Sequence, residues 1–126
     1  MKEPIWILES VVISIHKMLL AKQGGLSGIR DENLLESALF KPRQRFIYEP
    51  TSSIYELAAT YSVGIIKNHP FVDGNKRTAF TVMAIFLELN NIDFNAPEAE
   101  VVVFFESLAS GKITEQALVK WLEDSC

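Results

Sequence analysis

Three features of the sequence predict an all-α fold of about six helices in a single domain, residues 1–126. Apolar residues recur at i, i+3, i+4 and i+7 in successive stretches. Capping residues stand where several of those stretches begin, and glycine, proline or asparagine stands where they end. No internal repeat, low-complexity stretch or linker interrupts the chain.

Taken in order, Ile5 to Lys22 reads as a first helix, apolar on more than one face and stopped by Gly24-Gly25. His16 lies inside it, and a packed or capping histidine is favoured over a catalytic one, because no acid, nucleophile or second histidine is near it in sequence. Gly24 to Arg30 is a glycine-punctuated loop, and Asp31 is the expected N-cap of a second helix with Leu34, Leu35, Ala38 and Leu39 on its buried side. Pro42 is expected to end that helix. Lys41, Arg43 and Arg45 read as solvated charges, and Phe46-Ile47-Tyr48 as a short β-prone run. Ser53 and Glu56 form a capping box for a third helix that runs to about Asn68, with Leu57, Ala58, Tyr61 and Ile65 inward. A fourth helix follows Arg77 and ends near Asn90-Asn91, with Ala79, Val82, Met83, Phe86 and Leu89 on one face. Pro97 opens a fifth, with the stripe Val101, Val102, Phe105 and Leu108. Past Gly111, Thr114 caps a sixth, Ile113 staples onto Leu118, and Trp121 and Leu122 dock its end.

The chemistry concentrates between the third and fourth helices, in His69-Pro70-Phe71-Val72-Asp73-Gly74-Asn75-Lys76-Arg77-Thr78-Ala79. Asp73-Gly74-Asn75 reads as a turn. The free N–H groups of a helix's first turn make an anion site, and Lys76 and Arg77 add full charges to it. Asp73 could merely cap the helix, but beside two cations and an anion site it fits better as a hard oxygen ligand for Mg²⁺ bridging phosphates. His69 could likewise only cap carbonyls. Asp73 and Arg77, four and eight residues on, favour a role in proton transfer. Gly74 leaves the amides open to a phosphate, Arg77 can hold phosphate oxygens bidentately, and Phe71 reads as a core anchor for the loop. Thr78 either donates its hydroxyl or only fills the first turn. Base, metal ligand and phosphate cradle on one loop point to transfer of part of a nucleotide.

The stretch resembles the signature of the Fic/Doc superfamily, His-x-Phe-x-Asp/Glu-Gly/Ala-Asn-Gly/Lys-Arg. Lys76-Arg77-Thr78-Ala79, with Gly24-Gly25-Leu26-Ser27-Gly28-Ile29-Arg30-Asp31 and the following Leu34 to Leu39, is similar to its Doc (death-on-curing) branch. The resemblance implies an all-helical fold, His69 as the base that deprotonates a target hydroxyl, Asp73 as the Mg²⁺ ligand, and Asn75 as a residue near the phosphates or the metal, although turn propensity alone accounts for Asn75. It also implies a flap that aligns the target's backbone, expected here at Phe46 to Tyr48.

Two departures separate the chain from the Fic pattern. Lys76 replaces a glycine, and Phe80 stands where Fic members carry a second arginine. In the Doc branch the lysine goes with a reversed nucleotide, so resemblance implies transfer of the γ-phosphate of ATP to a Ser/Thr hydroxyl, with elongation factor Tu as target and translation blocked. Transfer of AMP and a catalytically silent binding module are the rival readings. The Fic self-inhibitory pattern, Ser/Thr-x-x-x-Glu-Gly/Asn, is broken at Leu57 after Ser52 and Glu56. That implies inhibition in trans by an antitoxin whose disordered C-terminal segment folds into a groove. Trp6, Phe104 or Trp121 could line the groove, though each reads first as core.

Composition agrees. Apolar residues at 48% against 22% charged mark a globular chain, and a net charge of −4 argues against general nucleic-acid binding. The single cysteine, Cys126, excludes an intrachain disulfide and allows a reducing compartment. Ile5 to Ala21 carries Glu9, His16 and Lys17, which tells against a membrane span or signal peptide. A cytoplasmic location is therefore expected.

Overall fold

In a computed structural model describing residues 2–126, six helices run in the order α1 (Glu9–Gln23), α2 (Glu32–Tyr48), α3 (Ile54–Asn68), α4 (Asn75–Leu89), α5 (Glu98–Ala109) and α6 (Glu115–Ser125). The architecture is all-α, as expected. The β-type pairing among the described residues is one isolated antiparallel bridge, Ile29 with Phe71. No helix among them is long and apolar enough to cross a membrane.

Helix α3 is the axis of the bundle, packed against α2, α4, α5 and α6. Its capping box forms as expected: Glu56 N–H donates to Ser53 Oγ at 3.1 Å and Ser53 N–H to Glu56 Oε1 at 2.8 Å. Leu57, Ala58, Tyr61 and Ile65 are fully buried along it. Small residues let the neighbouring helix come close: a Cβ at Gly64 would sit 3.2 Å from the Ala38 carbonyl oxygen of α2. Ala79, Val82, Met83 and Phe86 of α4 complete the centre, and Ser62 Oγ donates to Ala79 O at 2.8 Å to lock α3 onto α4. Leu89 and Val102, expected inward, are exposed, because each lies at the edge of its helix's apolar arc.

Four expectations are corrected. Helix α1 starts at Glu9 rather than Ile5, because residues before it are claimed by long-range partners. Asn90 accepts from Ile5 N at 2.8 Å and donates to Ile5 O at 3.0 Å, Tyr61 Oη accepts from Ile7 N at 3.3 Å, and Trp6 stacks on Phe86. Helix α2 does not stop at Pro42, which is buried within it. The carbonyl that Pro42 leaves without an i+4 donor is that of Ala38, which faces Gly64, and the helix beyond is held by tertiary contacts.

Arg45 is the chief of these contacts and is no solvated charge. Its guanidinium pairs with Glu56 at 2.9 Å and Glu115 at 2.8 Å and donates to Thr60 Oγ1 at 3.0 Å, tying α2 to α3 and α6. Arg43 lies over the Trp6 ring, 5.7 Å from its centroid. Phe46-Ile47-Tyr48 is consequently the last turn of α2, not a β-prone flap, and Ile47 and Tyr48 point to solvent.

Candidate active site

The motif loop is built by its own side chains before any ligand is considered. Helix α3 ends at His69, which adopts the left-handed conformation at φ 48° and ψ 55° and donates its N–H to Ile65 O at 3.0 Å. Phe71 is fully buried and stacks on His16 with ring centroids 3.9 Å apart and planes 10° apart. Asn75 closes the loop: its Oδ1 accepts from Phe71 N at 3.0 Å and its Nδ2 donates to Phe71 O at 2.9 Å. Gly74, at φ 75°, turns the chain into α4, and a Cβ there would meet Leu20 at 3.0 Å.

Two segments from elsewhere brace this loop. His16, buried in α1, places Nε2 at 2.9 Å from the Asp73 carbonyl oxygen. A carbonyl only accepts, so Nε2 carries the proton. The loop between α1 and α2 pairs with the motif through Val72 N to Gly28 O at 3.0 Å and Arg30 N to Pro70 O at 2.6 Å. This pairing is internal and fixes the motif loop itself. Arg30 also donates from Nε to His69 O at 2.7 Å and from Nη2 to Asn68 O at 2.9 Å.

The predicted residues meet in one cleft of about 920 Å³, where His69, Asp73, Gly74, Asn75, Lys76 and Arg77 all form part of the lining. Asn75, Lys76 and Arg77 are the first turn of α4, and Gly74 brings no side chain to cap their amides. Lys76 and Arg77 make no ion pair among the described residues, so their charges and the positive end of the helix dipole are available at the first turn of α4. The Asp73 carboxylate takes one N–H bond from Gly74 at 2.9 Å and a longer one from Leu26 at 3.4 Å. Its remaining lone pairs are open to the cleft, which suits a hard divalent ion carried in on phosphates, needing one or two carboxylates and no closed cage. Glu9, Glu32 and Glu36, whose carboxylates could share an ion, lie outside the cleft lining.

Two side chains behave differently from expectation. The Asn75 amide is consumed by Phe71, so Asn75 has only its backbone N–H to offer the cleft. Thr78 is fully buried and outside the cleft lining, so its hydroxyl cannot reach a ligand there. It fills the first turn. The sequence reading missed the opposite wall, where Phe80 of α4 meets Phe105 of α5 edge-on at 5.5 Å and Glu98 and Glu106 complete the rim. It also missed His16 and Arg30 as neighbours of the motif, since the bonds they make span 57 and 38 or 39 residues and leave no local signal. Trp6, Phe104 and Trp121 pack with other aromatics rather than standing free: Phe104 stacks on Trp121 at 4.4 Å, and Trp6 sits between Phe46 and Phe86.

The sequence profile of the Fic/DOC family matches residues 6–87, a span running from the segment before α1 through the motif to the end of α4. The chain belongs to the Fic/Doc family. Its relatives place it in the Doc branch. It is 32% identical over 113 residues to "Protein kinase doc" of Escherichia phage P1, covering 88% of this chain and 87% of that protein. It is 35% identical over 83 residues to "Toxin Doc" of Mycolicibacterium smegmatis, covering 61% of this chain and 63% of that protein.

Proposed function

We propose that this Fic/Doc protein is a Doc-type toxin that transfers the γ-phosphate of ATP to a Ser or Thr hydroxyl of a protein target, with elongation factor Tu as the acceptor and arrest of translation as the result. The observation that carries the reading is the convergence of His69, Asp73 and the cationic first turn of α4 on one cleft. The phage P1 relative named a protein kinase supports phosphate transfer over AMP transfer, as does Lys76.

Each residue then has a task. His69 takes the proton from the acceptor hydroxyl as its oxygen bonds to the γ-phosphorus and the bond to the β–γ bridging oxygen breaks, releasing ADP. The amides of Asn75, Lys76 and Arg77, with the Lys76 ammonium and the Arg77 guanidinium, offset charge on the phosphate oxygens. Asp73 would hold Mg²⁺, which when bound neutralises and orients the phosphates. Phe80, Val101 and Phe105 supply the apolar side of the cleft. Control in trans by an antitoxin segment fits the same reading: Glu56, in the incomplete self-inhibitory pattern, is held by Ser53 and Arg45 and is not among the cleft residues.

The test is incubation with elongation factor Tu, Mg²⁺ and ATP labelled at either the α- or the γ-phosphate, followed by mass spectrometry of the factor. Label from the γ-position on a Ser or Thr, lost in His69→Ala, is the expected result. Label arriving only from the α-position would make the protein an AMP transferase instead.

A further inference from the structure

His69 has a left-handed backbone at φ 48°, which a side-chain-bearing residue adopts only at a cost, so something must hold it there. Its own helix closes on it with one bond, His69 N–H to Ile65 O at 3.0 Å. The carbonyls of Asn68 and His69 beyond it have no helical donors and lie at the negative end of the helix dipole. One side chain answers both conditions. Arg30 donates from two corners of its guanidinium to consecutive carbonyls, Asn68 O at 2.9 Å and His69 O at 2.7 Å.

The mount of Arg30 is itself rigid. Its N–H is bonded to Pro70 O at 2.6 Å, its predecessor Ile29 bridges Phe71, and its successor Asp31 caps α2 by accepting from Leu34 N at 3.0 Å. Asn68, the other gripped residue, is tied to α2 as well, donating from Nδ2 to Leu34 O at 2.9 Å. The end of α3 is thus clamped between the start of α2 and the loop before it.

We propose that Arg30 is a positioning residue for His69, holding it in the left-handed conformation in which it lines the cleft. Arg30 makes no contact with the cradle at Gly74 to Arg77 and is absent from the cleft lining, so it acts on the proton acceptor and not on the phosphates. The fork matters as much as the charge. A lysine presents a single ammonium and cannot span two successive carbonyls in one plane. This role rests on His69 being the base of the reaction proposed above.

The test compares the full-length wild type with Arg30→Met and Arg30→Lys, well below their unfolding temperatures. Nuclear magnetic resonance reads the HN–Hα coupling and the Cα and Cβ shifts of His69, which report a left-handed residue without any ligand. Turnover with elongation factor Tu and ATP, and ATP affinity by calorimetry, are measured beside it. The expected result for Arg30→Met is loss of the left-handed signature and a fall in kcat on the order of 10-fold or more, with ATP affinity within about 2-fold of wild type. Arg30→Lys should restore only part of either. A left-handed signature unchanged in Arg30→Met overturns the proposal, as does equal loss of ATP affinity and turnover, which would make Arg30 a phosphate ligand. Should the wild type not modify the factor at all, the kinase reading fails, and the resonance signature still decides whether Arg30 holds His69.

Discussion

Replacing Asn75 by alanine separates a structural role for that side chain from direct contact with phosphate. In the folded protein both polar atoms of the Asn75 amide are bonded to the backbone of one fully buried residue, Phe71, at 3.0 and 2.9 Å. Truncation leaves the Phe71 N–H and C=O without partners where water has poor access. Each orphaned group costs about 1–3 kcal/mol, so Asn75→Ala should lower stability by about 2–6 kcal/mol. For a chain of 126 residues, Tm should fall by on the order of 10–20 °C. Asn75→Asp should fare little better, because it can accept from Phe71 N but sets a second acceptor against Phe71 O. The assay is thermal and urea unfolding followed by far-ultraviolet circular dichroism, with ATP affinity measured at a temperature where every variant is folded. An Asn75→Ala protein as stable as the wild type but unable to bind ATP would refute the reasoning, since the amide would then be serving the phosphates.

Other perturbations probe the supports around this loop. Burial pushes the Tyr61 phenol up from 10.0 to about 12, so its stabilising effect is complete below pH 10 and is lost as pH rises toward 12. The loss should reach about 1.4 kcal/mol by about pH 11, half of the roughly 3 kcal/mol lost once the folded phenol ionises too, and Tyr61→Phe should flatten that part of the profile; urea unfolding at about pH 9 and about pH 11 measures it. Gly25 lies at φ 115°, and a Cβ there would sit 2.8 Å from Asp73 Oδ2. Gly25→Ala should therefore displace the carboxylate and weaken Mg²⁺-dependent ATP binding by about 10-fold while leaving metal-free binding alone; calorimetry with Mg²⁺ and with a chelator tells the two apart. Arg45→Met removes the cation shared by Glu56 and Glu115 and should cost about 1–3 kcal/mol. That difference should shrink in high salt, and a salt-independent loss would assign it to packing.

Local signals in the sequence were enough for most of the helical layout. The capping box at Ser53 and Glu56 and the cap at Thr114 act over a few residues, so the starts of α3 and α6 are written where they occur, whereas α4 begins at Asn75, ahead of the apolar periodicity that follows Arg77. The same holds for the motif: His69 to Arg77 spans a helix end, a turn and a helix start, so nine consecutive residues bring imidazole, carboxylate and cations to one cleft. Where the reading went astray, a distant partner overrode a local preference. Pro42 did not break α2 because Arg45 beyond it is bound to α3 and α6. Ile5 to Leu8 did not join α1 because Asn90 and Tyr61 hold that backbone. Only the tertiary structure could decide that His16 supports Asp73, that Arg30 grips His69, and that Asn75 spends its amide on Phe71. A side chain's hydrogen-bond partner is settled by which groups packing brings within about 3 Å, and sequence separation carries no record of that distance.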